Sequence, residues 1–319
     1  MIAVRRRRVH DRYATNLSFF DSLRGMMRRN LAAVLFATVA LTAAPTAQWL
    51  QFRTPGVPRT SDDKPQLDAP VPRTADGHPD LSGVWMHVAT SVDEMRRLFG
   101  ARVDEAIKVD VPGMEIGTQN KYGLDVLADL RADSPMRPET AAALEKQLAG
   151  PPPPEALCVQ ADLTPIPLAG LLSEPIKIVQ APRLTLVLYE LGNGHRQIYT
   201  DGRALPREIN LPAYFGYSVG RWERDTFVVD TIGFNDRHPL DTMGHPRSER
   251  LRLTETFRRR DFGHMDIEMT FDDPVNYLRP FTITVPHTLL ADQDIFEMYP
   301  ENEKDCARIA ASTPGVTSK

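Results

Sequence analysis

The run from Gly216 to Thr231, G-Y-S-V-G-R-W-E-R-D-T-F-V-V-D-T, constrains the fold more than any other stretch of the chain. Two strand-forming segments flank the dipeptide Arg224-Asp225, and a two-residue loop between them fixes the register of a hairpin. Trp222 then faces Phe227, Gly220 faces Val229 and Ser218 faces Thr231 on one side, while Arg221/Val228 and Val219/Asp230 share the other. One face is apolar and the other mixed, as expected for a sheet with one buried side. Asp230, set among Val228, Val229 and Ile232, needs a partner where it is covered. Arg221 lies diagonally across the hairpin within reach, so a structural ion pair is favoured there over a catalytic role.

Further strands are predicted over 176–180, 184–190, 195–200, 251–260, 265–271, 281–286 and 295–299, and a first one runs out of Pro79-Asp80-Leu81-Ser82-Gly83-Val84-Trp85. The total is roughly ten short strands, separated by turn signals such as Gly192-Asn193-Gly194 and Asp201-Gly202. No segment repeats at a fixed period, which disfavours a propeller or solenoid. The expected class is mainly β: an antiparallel lipocalin-like barrel or sandwich, with a helical insertion at about 91–150. Within that insertion helical spacing appears in Val92, Met95 and Leu98, again in Leu124, Leu127 and Leu130, and from Pro138 to Leu148. Pro138 suits a first helical turn and Gly150 a helix stop, and Pro151 to Pro154 stiffen the link to the main β region.

The N-terminal 47 residues read as a cleavable export signal: basic residues precede the apolar run Leu31 to Ala44, which ends in the small-residue site Pro45-Thr46-Ala47. That run is too short for a permanent anchor, which needs about 20 residues, so no stable membrane anchor is expected. Met26 or Met27 would give a more ordinary start. Residues 48–78, rich in Pro, Asp, Thr and Arg, read as an extended linker or an arm lying on the domain, and 79–319 as a single β-rich domain. Eight of the 38 basic residues but only two of the 42 acidic ones precede Gln48, so the remainder is acidic by about ten charges. Such a balance argues against a nucleic-acid partner. Cys158 and Cys306 can pair in an oxidising periplasmic or secreted setting or stay as buried thiols. The oligomeric state is left open.

Five segments carry a resemblance: P-D-L-S-G-V-W (Pro79 to Trp85), D-G-R (Asp201 to Arg203), the hairpin run, G-F-N-D (Gly233 to Asp236) and G-H-P-R-S-E (Gly244 to Glu249). Together they resemble a family of exported bacterial proteins, and Gly83-x-Trp85 resembles the first-strand signature of lipocalin-like barrels. The resemblance implies a shared fold and pocket rather than a given activity. The chain departs from it at Arg224, where relatives tend to carry Gly, and at Met298 to Asn302, where they tend to carry a Cys before Glu-Asn.

Reactive side chains concentrate in the loop after the hairpin: Asn235, Asp236, His238, Asp241, His245, Ser248 and Glu249. As acid/base machinery, His245 exchanges a proton near neutral pH while Asp241 or Glu249 fixes its tautomer. Ser248 with His245 and Asp241 has the residue types of a hydrolase triad but lacks the G-x-S-x-G elbow. Asp236, His238, Asp241 and His245 offer N and O ligands at a spacing that matches no metal motif, so no metal is assigned. No cofactor signature is present either. The candidate ligand-binding residues are Trp85, His195, Tyr199, Arg203, Tyr217, Asn235 and Tyr277. Arg258 to Arg260 read as a solvated strand end.

Three functions remain open on the sequence. The favoured one is a periplasmic protein that holds a small, largely apolar molecule inside a β-barrel. The second is a cofactor-independent lyase, hydratase or isomerase using His245. The third is an envelope scaffold or partner-binding domain, whose barrel would be filled by its own side chains.

Overall fold

The computed structural model describes residues 53–100, 103–104, 118–150, 174–190 and 194–296. The export segment and both cysteines lie outside them. Nine strands close into one barrel in sequence order: β1 (Gly83–His87), β2 (Ile176–Ala181), β3 (Leu184–Tyr189), β4 (His195–Tyr199), β5 (Tyr217–Glu223), β6 (Thr226–Ile232), β7 (Arg252–Arg259), β8 (His264–Asp272) and β9 (Phe281–Leu289). The barrel alternative is therefore realised and the sandwich is not. Of the strand expected over 295–299, Ile295 and Phe296 lie outside any strand, and the rest falls outside the described residues.

The sheet is mixed rather than wholly antiparallel. β1 pairs β9 antiparallel, which closes the ring. A closed ring of nine strands cannot alternate direction at every interface, so one pair must run parallel, and it is β4 with β5. Every other neighbour pair is antiparallel. The hairpin expected at Arg224-Asp225 forms in the expected register, with Trp222 opposite Phe227, Gly220 opposite Val229 and Ser218 opposite Thr231. Arg221 binds Asp230, whose other oxygen accepts from Thr254 Oγ1 at 2.8 Å. Gly220 is required by packing, since a Cβ there would lie 2.5 Å from the Phe227 ring.

The inward faces supply the core: Ile178 and Val187, Ile198, Phe227 and Val229, Leu253 and Phe257, Ile267 and Val285 are all buried. At one barrel end the connections are short, and the segment before β1 lies across it. There Ala69 and Leu67 carbonyls accept from Phe262 N and Gly263 N at 2.7 and 2.6 Å. Trp85, fully buried, donates Nε1–H to Leu81 O at 2.9 Å, and the Arg259 guanidinium sits 4.9 Å from its ring centre. The described part of this segment is held by Arg73 to Asp225 at 2.9 Å and by His78 stacked on Trp222 at 4.8 Å. Arg259 corrects one expectation: strand alternation turns it inward under this segment, and only Arg258 and Arg260 are solvated.

The opposite end carries the long connections. Between β1 and β2 lie α1 (Val92–Phe99), α2 (Lys121–Leu124), a 3-10 turn (Arg131–Asp133) and α3 (Pro138–Ala149). Ser91 caps α1 by accepting from Glu94 N, Pro138 occupies the first turn of α3, and Gly150 ends it. Leu124, Leu127 and Leu130 do not share one helix, contrary to their spacing. The chain leaves α2 at Asp125, which is extended and whose carboxylate accepts from Leu127 N, while Val126 N donates to Asp241 rather than continuing a helical ladder.

Arg224 sits at φ 59°, in the left-handed region that disfavours a side chain by about 1–2 kcal/mol. Arg224→Gly relieves this while adding about 0.5–1 kcal/mol of unfolded-chain entropy. A net stabilisation of roughly 0.5 kcal/mol is expected, read as a small upward shift of the urea midpoint at unchanged slope.

Candidate functional site

The loop after β6 and the helical insertion meet over the barrel end around Asp241. Its Oδ1 accepts from Gly244 N at 2.9 Å and His245 N at 3.1 Å, and its Oδ2 from Val126 N at 2.6 Å. His245 Nδ1 lies 2.5 Å from the same Oδ2, and since a carboxylate only accepts, Nδ1 carries the proton. A second carboxylate, Asp125, stands 3.8 Å from Nδ1 and is gripped by Arg131 at 2.6 Å. Burial alone would pull the imidazole down, but the Asp241 hydrogen bond and the charges of Asp241 and Asp125 outweigh it and hold His245 above its usual 6.5, against a smaller opposing push from Arg131. With the imidazole protonated, two carboxylates face two cations and the buried cluster is neutral. Backbone bonds reinforce the seam: Thr242 N and Met243 N donate to Gly123 O and Leu124 O at 3.2 and 3.0 Å.

This seam brings His245 and Asp241 together as the sequence suggested, but it does not assemble the other candidates. Ser248 turns away: its Oγ donates to Asp273 Oδ1 at 2.6 Å and its N to Oδ2 at 2.7 Å, so no hydrolase triad forms. Glu249 is exposed and lines a separate cleft. Asp236 is exposed, and His238 packs edge-on against Tyr214 at 4.5 Å. Among the described residues the trio with metal-ligand geometry is instead Asp125, Asp241 and His245, with one donor atom of each within 4.8 Å. All four carboxylate oxygens there already accept from backbone N–H groups, His245 or Arg131. The chemistry of the trio is that of a satisfied ion cluster, and the geometry does not call for a metal.

The ligand-binding candidates divide. Tyr277 is buried, donates its hydroxyl to Pro246 O at 2.9 Å and so fixes the polar loop; burial, then the charges of Asp241 and Asp273, raise its phenol. Asn235 gives its carbonyl and Oδ1 to Arg247 at 2.8 and 3.1 Å. Trp85 plugs the covered end. His195 points outward, because Arg196 and Ile198 take the inward positions of β4. Tyr199, Tyr217 and Arg203 do come together, yet on the outer surface. The guanidinium lies 3.8 Å from the Tyr199 ring centre, donates to Tyr217 at 3.0 Å and pairs Asp201 at 2.6 Å.

The lumen holds what sequence reasoning missed. Arg196, 2% exposed, donates Nη1 to Glu255 at 2.9 Å, Nε to Ser218 at 2.9 Å and Nη2 to Thr231 at 2.7 Å. Burial opposes its charge, but Glu255 outweighs burial and keeps the guanidinium raised; nearby Tyr189 is pushed up to about 12, chiefly by burial. The signal was present: Ser218 and Thr231 sit on the apolar face of the hairpin, and Glu255 alternates with Leu253 and Phe257. Further along the lumen His87 and His287 are register partners, both buried. Burial holds His287 down to about 3, so it stays neutral.

Among the described residues, two clefts open at the insertion end. One of about 280 Å³ lies between α3 and the polar loop, lined by Leu144, Gln147, Gly244, Pro246 and Asn276 among others. The other, of about 600 Å³, lies between the β4–β5 crossover and the start of β7; its apolar wall is Ile209, Pro212, Ile232 and Leu251. Charged side chains from both sides edge it: Arg207 and Glu208 from the crossover, Glu249, Arg250 and Arg252 leading into β7. Comparison of the chain with protein-family models, with curated proteins and with solved structures finds no match.

Glu255→Gln should cost about 3–5 kcal/mol in chemical denaturation, because it leaves Arg196 charged and buried without a counter-ion. The two histidine environments should shape the pH profile of stability with opposite signs. His245 is raised in the fold, so its contribution is complete below pH 6.5 and lost as pH rises through its folded value. His287 is depressed, so stability is lost as pH falls from 6.5 towards 3, by roughly 3–5 kcal/mol across that window. Denaturation from pH 4 to 9 should show His245→Gln flattening the alkaline limb and leaving the acid limb intact.

Proposed function

We propose that this chain is an exported small-molecule-binding barrel that takes its ligand in the 600 Å³ cleft at the insertion end. A β-barrel is compatible with ligand binding, and barrels of this size hold either side chains or one small ligand. Here the described lumen residues already satisfy one another, the Arg196 network in the middle and Trp85 at the covered end. The observation that carries the reading is the cleft: its volume falls in the usual range for small-molecule sites, and an apolar wall is edged by polar groups. The ligand is accordingly amphiphilic rather than largely apolar. The basic, then apolar, N-terminal segment supports export to the periplasm or medium.

Acid/base catalysis by His245 stands second. The buried Asp241–His245 pair supports it, since Nδ1 is fixed and Nε2 makes no hydrogen bond among the described residues. The adjoining 280 Å³ cleft, however, is lined by the neighbours Gly244 and Pro246 and not by the imidazole.

Native mass spectrometry of the protein purified from the producing cell, with acid extraction, should release a small organic molecule. Asn210→Trp, placed at an exposed position in the cleft, should reduce the ligand-bound fraction at least tenfold without lowering Tm. An unchanged bound fraction would move the site out of the cleft.

A further inference from the structure

The charges that edge the cleft are of both signs and do not close on one another. Some exposed arginines close on carboxylates, Arg53 on Asp63 at 2.6 Å, Arg73 on Asp225 at 2.9 Å, Arg203 on Asp201 at 2.6 Å and Arg279 on Asp133 at 2.5 Å, while others, such as Arg224, Arg237 and Arg258, form no ion pair among the described residues. In the cleft Arg207, Arg250 and Arg252 form no ion pair among the described residues, although Glu208, Glu249 and Asp272 line the same space. Arg252 and Asp272 are cross-strand partners between β7 and β8. Such partners have Cβ atoms about 4.5–5.5 Å apart, so pairing is within reach. Both signs are therefore present, solvated and unpaired around one apolar wall.

A ligand that bore only negative charge would meet the three carboxylates as well as the three guanidinium groups, and a cation would meet the reverse. An uncharged apolar ligand would cover both sets of charges and strip their water without replacing it. A molecule with one charge of each sign avoids all three costs: its carboxylate matches the planar guanidinium fork, and its ammonium suits the acidic side chains. The wall of Ile209, Pro212, Ile232 and Leu251 then takes an apolar body between them. We propose that the cleft binds a small zwitterion with apolar side chains, an α-amino acid or short peptide with free termini. This rests on the cleft being the ligand site proposed above.

The test uses the full-length protein and three matched probes, L-leucyl-L-leucine, its N-acetyl derivative and its C-terminal amide, with the neutral dye N-phenyl-1-naphthylamine as an uncharged probe. Binding is located by amide shift changes at Ile209, Gly233 and Leu251. The free dipeptide should perturb these amides, and blocking either terminus should weaken binding about tenfold. Arg252→Ala should weaken the free dipeptide and the amide unequally, the loss being larger for the probe that keeps its carboxylate. If a blocked derivative or the dye binds as tightly as the free dipeptide, the zwitterion proposal falls while the cleft stands as a ligand site. If none of the four probes perturbs these amides, the zwitterion proposal is overturned. If, in that last case, N-phenyl-1-naphthylamine binds with shifts confined to residues outside the cleft, the cleft reading fails with it.

Discussion

An odd number of strands in a closed ring obliges one neighbour pair to run parallel, and much of the molecule follows from where that pair falls. Antiparallel neighbours need only a tight turn, but parallel ones need the chain to return from one barrel end to the other. The parallel step lies between β4 and β5, so residues 200–216 must cross the outside of the barrel. The crossover is pinned at its far end, where Ala213 N donates to Gly233 O at 2.8 Å and Asn235 N to Ala213 O at 2.9 Å. Its middle, Arg207 to Pro212, forms one wall of the 600 Å³ cleft. In an eight-stranded, fully antiparallel barrel the same sequence order would need no such return, and this wall would have no reason to exist.

Two charged networks inside the structure are governed by desolvation. In the lumen Arg196 has its fixed positive charge matched by Glu255 and its remaining donors met by Ser218 and Thr231. Such a network costs more than an apolar core would, and it constrains partner strands by demanding specific neighbours from β4, β5, β6 and β7. At the insertion end the cation is conditional on pH, because His245, raised above its usual 6.5 by Asp241 and Asp125 against its burial, gives up its proton as pH rises. The first network is centred on a guanidinium and belongs to the barrel. The second joins a loop to an insertion, the two parts that a barrel does not itself hold in place.

The parts of this architecture legible in the sequence are those set by short-range rules. The hairpin register follows from a two-residue turn and a period of two, and the pairing of Arg221 with Asp230 follows from the register. The first and third helices announce themselves through the spacing of Val92, Met95 and Leu98 and through Pro138 and Gly150. What was not legible depends on contacts far apart in the chain. The helix expected through Leu124, Leu127 and Leu130 fails because Asp241, over a hundred residues on, takes the Val126 N–H. His195 and Tyr199 are ligand-binding candidates on the sequence because alternation yields two faces without saying which is inside; Ile198 and Arg196 decide it only once Glu255 is known to lie opposite. The parallel step cannot be read from any segment, since it is a property of the closed ring.

The same ring explains why the two ends of the barrel do different work. At the covered end every connection is tight, and the chain before β1 supplies Leu67, Ala69 and Leu81 to cover the lumen around Trp85. That end has spent its apolar surface on the fold. At the other end the insertion, the polar loop and the crossover arrive from different parts of the chain and meet at their edges, where neither helix nor strand packing can fill every space. Among the described residues two clefts remain there, one beside α3 and one beside the crossover. Only the second collects unpaired charges of both signs around an apolar wall, and a cavity with that lining is stable in water only because its charged rim stays hydrated. A ligand must therefore replace that hydration group by group, which makes charge placement, more than apolar area, the selective feature of the site.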